Sequence, residues 1–174
     1  MARQLWLLRH AEAEPHGTRA DAQRMLTPRG EHQARAAGVA ISRLAVAFDA
    51  VLYSPKERAA ATARLAAEGW SAQQRALMRE HPLLAGPFDA AQALATLREV
   101  PAQDGRLLLV GHEPHLSTLV AELAGGRIDL KKGGLAVLRL DSSRGELAVL
   151  LRPRELALVA DPLLRSVCPP VDRD

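Results

Sequence analysis

Two histidines and two arginines stand at the ends of apolar runs in this chain, and together they suggest a site for a phosphoryl group. Arg9-His10 closes the run Leu5-Trp6-Leu7-Leu8, Arg58 lies just beyond the run Val51-Leu52-Tyr53, and His112 follows Leu107-Leu108-Leu109-Val110. A phosphoryl group in transit spreads negative charge over its oxygens, so its catalysis is mostly positioning and charge stabilisation. Arginine suits this work with a permanent charge and a planar fork of donors. A neutral imidazole can be the nucleophile, splitting hydrolysis into phosphoryl capture and release by water. A second histidine can donate to a transferring oxygen, and two arginines offset a dianion without a metal.

These residues act together only if the fold gathers them. Short apolar runs alternate with helical patterns, which predicts an α/β fold in a single-domain three-layer sandwich: a mostly parallel central sheet with helices on both faces. In such a sheet ligands bind outside the carboxyl ends of the strands, where Arg9, His10, Arg58 and His112 all fall. Thr27-Pro28 predicts a helix start, with Ala34, Ala37, Ile41, Leu44, Ala45 and Phe48 on the buried face. Ser54-Pro55-Lys56-Glu57 reads as a capping box opening an Ala-rich helix that runs to Glu68, with Gly69 as its stop. A weak strand is expected at 76–78, a loop at 81–87 and a helix at 90–100. Gln103-Asp104-Gly105 turns the chain into the strand that ends at Val110. The next helix carries Leu116, Leu119, Val120 and Leu123 and closes at Gly125-Gly126. The helices that follow Ser54 and Pro114 aim their positive ends at the same sheet edge. Leu135–Leu140 and Glu146–Leu151 predict an antiparallel C-terminal hairpin. One domain is expected over residues 1–152, followed by a tail at 153–174 with no usable pattern.

The bulk composition narrows the function. A length of 174 residues, 48% hydrophobic and 25% charged, suits one soluble globular domain. The net charge of +3 is mild, and its arginines are scattered with no basic run interleaved with aromatics. That disfavours nucleic acid as a partner. No stretch approaches the ~20 apolar residues that cross a bilayer, so no membrane partner is expected. The single cysteine, Cys168, fits a reducing compartment, and a cytoplasmic location is expected.

The motifs around these four residues resemble a known family. Leu7-Leu8-Arg9-His10-Ala11-Glu12 is similar to the Arg-His opening of the histidine phosphatase (phosphoglycerate-mutase-like) superfamily. Ser54-Pro55-Lys56-Glu57-Arg58-Ala59-Ala60-Ala61-Thr62-Ala63 resembles its Ser-Pro-x-x-Arg-Ala-x-x-Thr-Ala element, and Leu109-Val110-Gly111-His112-Glu113-Pro114 resembles its second-histidine element. Compactness, Leu26-Thr27-Pro28-Arg29-Gly30 and the Gly-His-x-Pro form point to the phosphohistidine phosphatase SixA branch. The resemblance spans roughly Gln4 to Leu151. It implies that His10 is the nucleophile that becomes phosphorylated, that Arg9 and Arg58 bind the phosphate, and that His112 stabilises the transition state. Arg24 resembles a pocket arginine of this branch, although a solvated loop residue would look the same.

The sequence departs from the family pattern in one respect. Larger members carry a carboxylic acid after the third strand or beside the second histidine, to protonate a leaving alkoxide. Here His81-Pro82-Leu83-Leu84-Ala85-Gly86-Pro87 is apolar at that place, and Glu80 and Glu113 are the possible general acids. An alkoxide leaves poorly without a proton donor. The imidazole of phosphohistidine can instead be protonated from solvent, so the sequence favours a phosphohistidine-bearing protein over a small phosphorylated substrate. A phosphomonoesterase using Glu80 or Glu113 and a non-catalytic phosphate-binding module are the rival readings. No cofactor is expected. No metal is expected either, since Pro114 interrupts the helix face that His112 and His115 would need as ligands.

Overall fold

The computed structural model describes residues 3–100, 105–141 and 145–161. Six strands form one sheet in the order β3-β2-β4-β1-β5-β6. The central strands are β1 (Arg3–Arg9) and β4 (Arg106–Gly111), paired in parallel over six rungs from Gln4↔Arg106 to Arg9↔Gly111. β2 (Ala50–Tyr53) and β3 (Met78–Glu80) continue the parallel half. β5 (Leu135–Leu140) and β6 (Gly145–Leu151) add the antiparallel hairpin. The expected three-layer sandwich is the observed architecture.

The apolar runs are continuous because both faces of the sheet are covered. Successive side chains of β1 serve opposite cores: Trp6 and Leu8 pack with α1 (Pro28–Arg43) and α2 (Glu57–Ala66), while Leu5 and Leu7 pack with α4 (Ala90–Glu99) and α5 (His115–Ala124). The small residues of the Ala-rich helix permit close layering. Gly38 of α1 lies so near α2 that a Cβ there would stand 1.9 Å from the Ala66 carbonyl oxygen. Gly30 meets the Glu12 carbonyl equally closely, which fixes the first turn of α1 against the loop leaving β1.

Several boundaries differ from expectation for local reasons. α1 stops at Arg43, Leu44 is exposed, and Ala45 takes a left-handed φ of 53°, so Phe48 reaches the core from the connection and not from the helix. Residues 72–76 form a short helix, α3 (Ala72–Ala76), which shifts the edge strand β3 to 78–80. The expected loop at 81–87 contains a 3-10 turn over Pro82–Ala85. Beyond the hairpin the chain forms α6 (Pro153–Ala160), which lies on α1. Leu156 is its anchor: the side chain is wholly buried, contributing about 2 kcal/mol by loss of apolar surface. A single buried leucine in eight residues leaves little periodicity to read. The turn at Gln103-Asp104, the hairpin link at 142–144 and Cys168 lie outside the described residues.

Candidate active site

β1 ends where it does because its last residues are held from two sides. His10 N–H donates to the Gly111 carbonyl of β4 at 2.9 Å, and Arg9 N–H donates to the Gly134 carbonyl at 3.1 Å. Gly133 N–H reaches the His10 carbonyl at 3.0 Å, from a turn whose φ of 72° favours glycine. Arg9 and His10 therefore leave the sheet at its carboxyl edge, between β4 and the start of β5. α2 and α5 begin just after β2 and β4, so their N-termini lie at the same edge.

A cavity of about 520 Å³ opens there, and Arg9, His10, Arg24, Arg58 and His112 line it, with Glu113 and Lys132 also on its walls. The imidazole centroids of His10 and His112 are 5.1 Å apart. Glu80, at the end of edge strand β3, is exposed and is absent from the lining. Of the two expected acids only Glu113 faces the cavity, and its Oε1 already accepts from Ser117 Oγ at 2.8 Å. His16 lines the same cavity, while His81 packs edge-on against Phe88. Among the described residues no cluster of histidine, cysteine and carboxylate side chains is gathered to hold a metal ion.

Both histidines are held neutral. Burial, reinforced by Arg58, Arg9 and Lys132, pushes His10 down to about 3, although its bond to the Ala11 carbonyl works the other way. Burial, then His10, Arg58 and Lys56, pushes His112 down to about 3 as well. His10 Nδ1 lies 2.8 Å from the Ala11 carbonyl oxygen. A carbonyl can only accept, so Nδ1 carries the proton and Nε2 keeps its lone pair, the form a nucleophile requires.

The arginines are fixed by different means. Arg9 Nη1 donates to the Leu130 carbonyl at 2.8 Å. Arg58 Nη1 donates to the Asp21 carbonyl at 2.6 Å, and its Nη2 reaches Asp21 Oδ2 at 3.3 Å. Each keeps a buried Nε with no partner among the described residues, and burial lowers the pKa of both guanidinia. Buried donors left unpaired are costly, and a phosphate oxygen is an acceptor of the kind these two nitrogens can use. Arg24 differs: Nη1 donates to the Glu14 carbonyl at 2.7 Å, while Nε and Nη2 both donate to Asp21 Oδ1. With three nitrogens engaged it holds the loop shut and presents less of itself to a ligand.

Two residues that sequence reasoning missed organise this arrangement. Asp21 ties Arg24, Arg58 and Lys56 together, and its hydrogen bonds from Lys56 and Arg24 hold its carboxyl well below the usual carboxylate range. It sits in a polar loop more than thirty positions from Lys56 and Arg58, so no local spacing signals it. Ser54 was expected as a helix cap, yet α2 starts at Glu57 and lacks a side-chain cap. The Ser54 hydroxyl is fully buried and lies 2.8 Å from His112 Nε2. It accepts the Lys56 N–H at 3.3 Å, and among the described residues His112 Nε2 is the one acceptor for its own hydrogen, which therefore points to the imidazole. That fixes the proton of His112 on Nδ1, a buried donor without a protein partner on a residue that lines the cavity. Ser54 is thus a positioning residue. Ser54→Ala is expected to lower kcat about tenfold, the worth of one oriented hydrogen bond, with KM nearly unchanged. A parallel rise in KM would mean that Ser54 supports the pocket and not the tautomer.

Known proteins share the fold that carries this site. Residues 5–83 match the family model of the histidine phosphatase superfamily (branch 1). An uncharacterised protein of Picosynechococcus sp. is 31% identical over 169 residues, covering 88% of this chain and 98% of that protein. The structure of the protein histidine phosphatase SixA complexed with tungstate superposes with a TM-score of 0.72 at 23% identity, covering 88% of this chain and 99% of that one. A protein from Nakamurella multipartitia assigned as phosphohistidine phosphatase SixA gives 0.71 at 28% identity, covering 88% and 97%. One from Escherichia coli K-12 assigned as an α-ribazole-5′-P phosphatase gives 0.72 at 23% identity, covering 87% and 98%. The three share the sheet and helix layers described above, and the family model together with the three motifs in order places the family: this chain belongs to the histidine phosphatase superfamily.

Proposed function

We propose that this chain is a phosphatase that hydrolyses phosphohistidine in a protein, through a covalent phosphohistidine intermediate on His10. The observation that carries the reading is the lining of the cavity: two arginines with buried donors, two neutral imidazoles, and, among the described residues, three carboxylates that each already accept a hydrogen bond. Glu12 accepts from Thr27 Oγ1 and faces Arg29, Glu14 accepts from Arg19 and from Met25 N–H, and Glu113 accepts from Ser117. In the first step His10 Nε2 attacks phosphorus, the P–N bond to the substrate imidazole breaks, and solvent supplies the proton which that imidazole takes up. Arg9 and Arg58 hold the non-bridging oxygens, and His112 Nδ1–H donates to one of them. Water then attacks the phosphoryl group on His10, releasing inorganic phosphate and restoring the neutral imidazole. The single cysteine supports a cytoplasmic setting.

A second reading has one observation in its favour: Glu113 does line the cavity, so a small phosphomonoester could find an acid there. Turnover of a phosphohistidine peptide beside a panel of phosphomonoesters separates the two. The phosphohistidine peptide is expected to lead in kcat/KM by about 100-fold, the factor that an unassisted alkoxide leaving group forfeits. Glu113→Gln is expected to leave its turnover within about threefold, since no proton from that carboxyl is needed. Faster monoester hydrolysis that collapses in Glu113→Gln would establish the monoesterase instead.

A further inference from the structure

A second cavity, of about 560 Å³, adjoins the first, and Arg9 and Lys132 belong to the walls of both. Its other cations are Arg29 at the start of α1, Lys131, and Arg152 and Arg154 at the start of α6. Among the described residues three carboxylates are close by. Glu12 lies 3.6 Å from Arg29, Asp129 pairs with Lys131, and Glu155 accepts the backbone N–H of Arg152. Asp129 also feels the charges of Arg152 and Arg9, so one carboxylate serves three cations. The positive charge therefore exceeds the negative along a surface that runs directly out of the phosphate site.

The character of these side chains decides what the surface fits. Arg9 and Arg58 are tied by hydrogen bonds at the cavity floor, as a small anion requires. Arg29, Lys131, Lys132, Arg152 and Arg154 are exposed, with 77% and 50% of the Arg29 and Lys131 side chains open to water. Long exposed cations attract over a distance and adapt to many partners but grip no fixed geometry. We infer that this surface docks acidic side chains that flank the phosphohistidine of a protein substrate. The inference rests on the proposed function and adds the substrate class to it: phosphohistidine in an acidic surface.

The test uses two synthetic phosphohistidine peptides of equal length, one flanked by aspartate and glutamate and the other by lysine, with phosphoimidazole as a substrate that has no flanks. At low salt kcat/KM for the acidic peptide is expected to exceed that for the lysine peptide about tenfold, and the gap to close as salt shortens the Debye length below about 5 Å. The variant K131Q/R152Q/R154Q is expected to lose the preference while turning over phosphoimidazole as the unmodified protein does, which also shows that it folds. Equal turnover of both peptides, or a preference that survives the triple substitution, overturns the docking surface and leaves the functional reading standing. Hydrolysis of phosphomonoesters with no turnover of phosphoimidazole or of either peptide would overturn both.

Discussion

Replacing His10 with alanine is expected to lower kcat against a phosphohistidine peptide by about ten-thousand-fold, because it removes the atom that forms the covalent bond and forces water to attack directly. The residual rate would come from Arg9, Arg58 and His112, which still hold and polarise the phosphoryl group. Brief incubation with labelled substrate should trap acid-labile, base-stable phosphate on the unmodified chain and none on the variant. Added imidazole is expected to restore part of the rate, since the deleted ring leaves a gap beside the phosphate position. The corresponding change at His112 should cost less, about 100-fold, the range for losing one donor to the transition state. If His112→Ala were the more damaging change, and label remained in His10→Ala, the nucleophile would be His112. Absence of both turnover and label in the unmodified chain would leave a module that binds phosphate without chemistry.

The distribution of what was readable in the sequence follows from how local each signal is. Leu107–Val110 and Leu5–Leu8 announce buried strands because each is a continuous apolar run, and the structure buries both faces of the sheet. Thr27-Pro28 announces a helix start because cap and first turn are adjacent, and Thr27 Oγ1 does accept the Gly30 N–H at 3.1 Å. The placing of Arg9, Arg58 and His112 at one edge follows from topology, since all three follow parallel strands. What escaped is what depends on distant partners. Ser54 fits a capping pattern by spacing alone, but burial beside His112, fifty-eight positions away, turns its hydroxyl to the imidazole. Asp21 bears no local mark of its ties to Lys56 and Arg58. The basic surface is assembled from Arg29, Lys131 and Arg152, three separate stretches that α6 brings together only by packing on α1.

The neutrality of the two histidines carries a cost that appears in the pH dependence of stability. Burial, with the nearby guanidinia, pushes both His10 and His112 from the ordinary value near 6.5 down to about 3. In the unfolded chain they protonate as pH falls through 6.5, while in the fold they do not until about 3. The unfolded state then binds more protons, so stability rises with pH across that window. Their contribution is complete above pH 6.5 and is lost progressively from 6.5 towards 3. At pH 5 each ring has forfeited about 2 kcal/mol, from 1.36 kcal/mol for each unit of separation over one and a half units. Together they should remove about 4 kcal/mol between pH 7.5 and 5, a large share of the 5–15 kcal/mol that holds an ordinary domain. Asp21 and Glu14, whose carboxyls are held below their usual range by hydrogen bonds, add a loss of the same sign at lower pH. Urea midpoints at pH 7.5 and 5 measure the effect, and His10→Gln with His112→Gln should flatten most of it, because glutamine does not titrate. Inorganic phosphate should counter the loss, since an anion seated between Arg9 and Arg58 offsets the charges that disfavour an imidazolium and binds only the folded chain. An unchanged midpoint across that range, or an equal slope in the double variant, would mean that water reaches these rings and that His10 is protonated at mildly acidic pH, where it could no longer attack phosphorus.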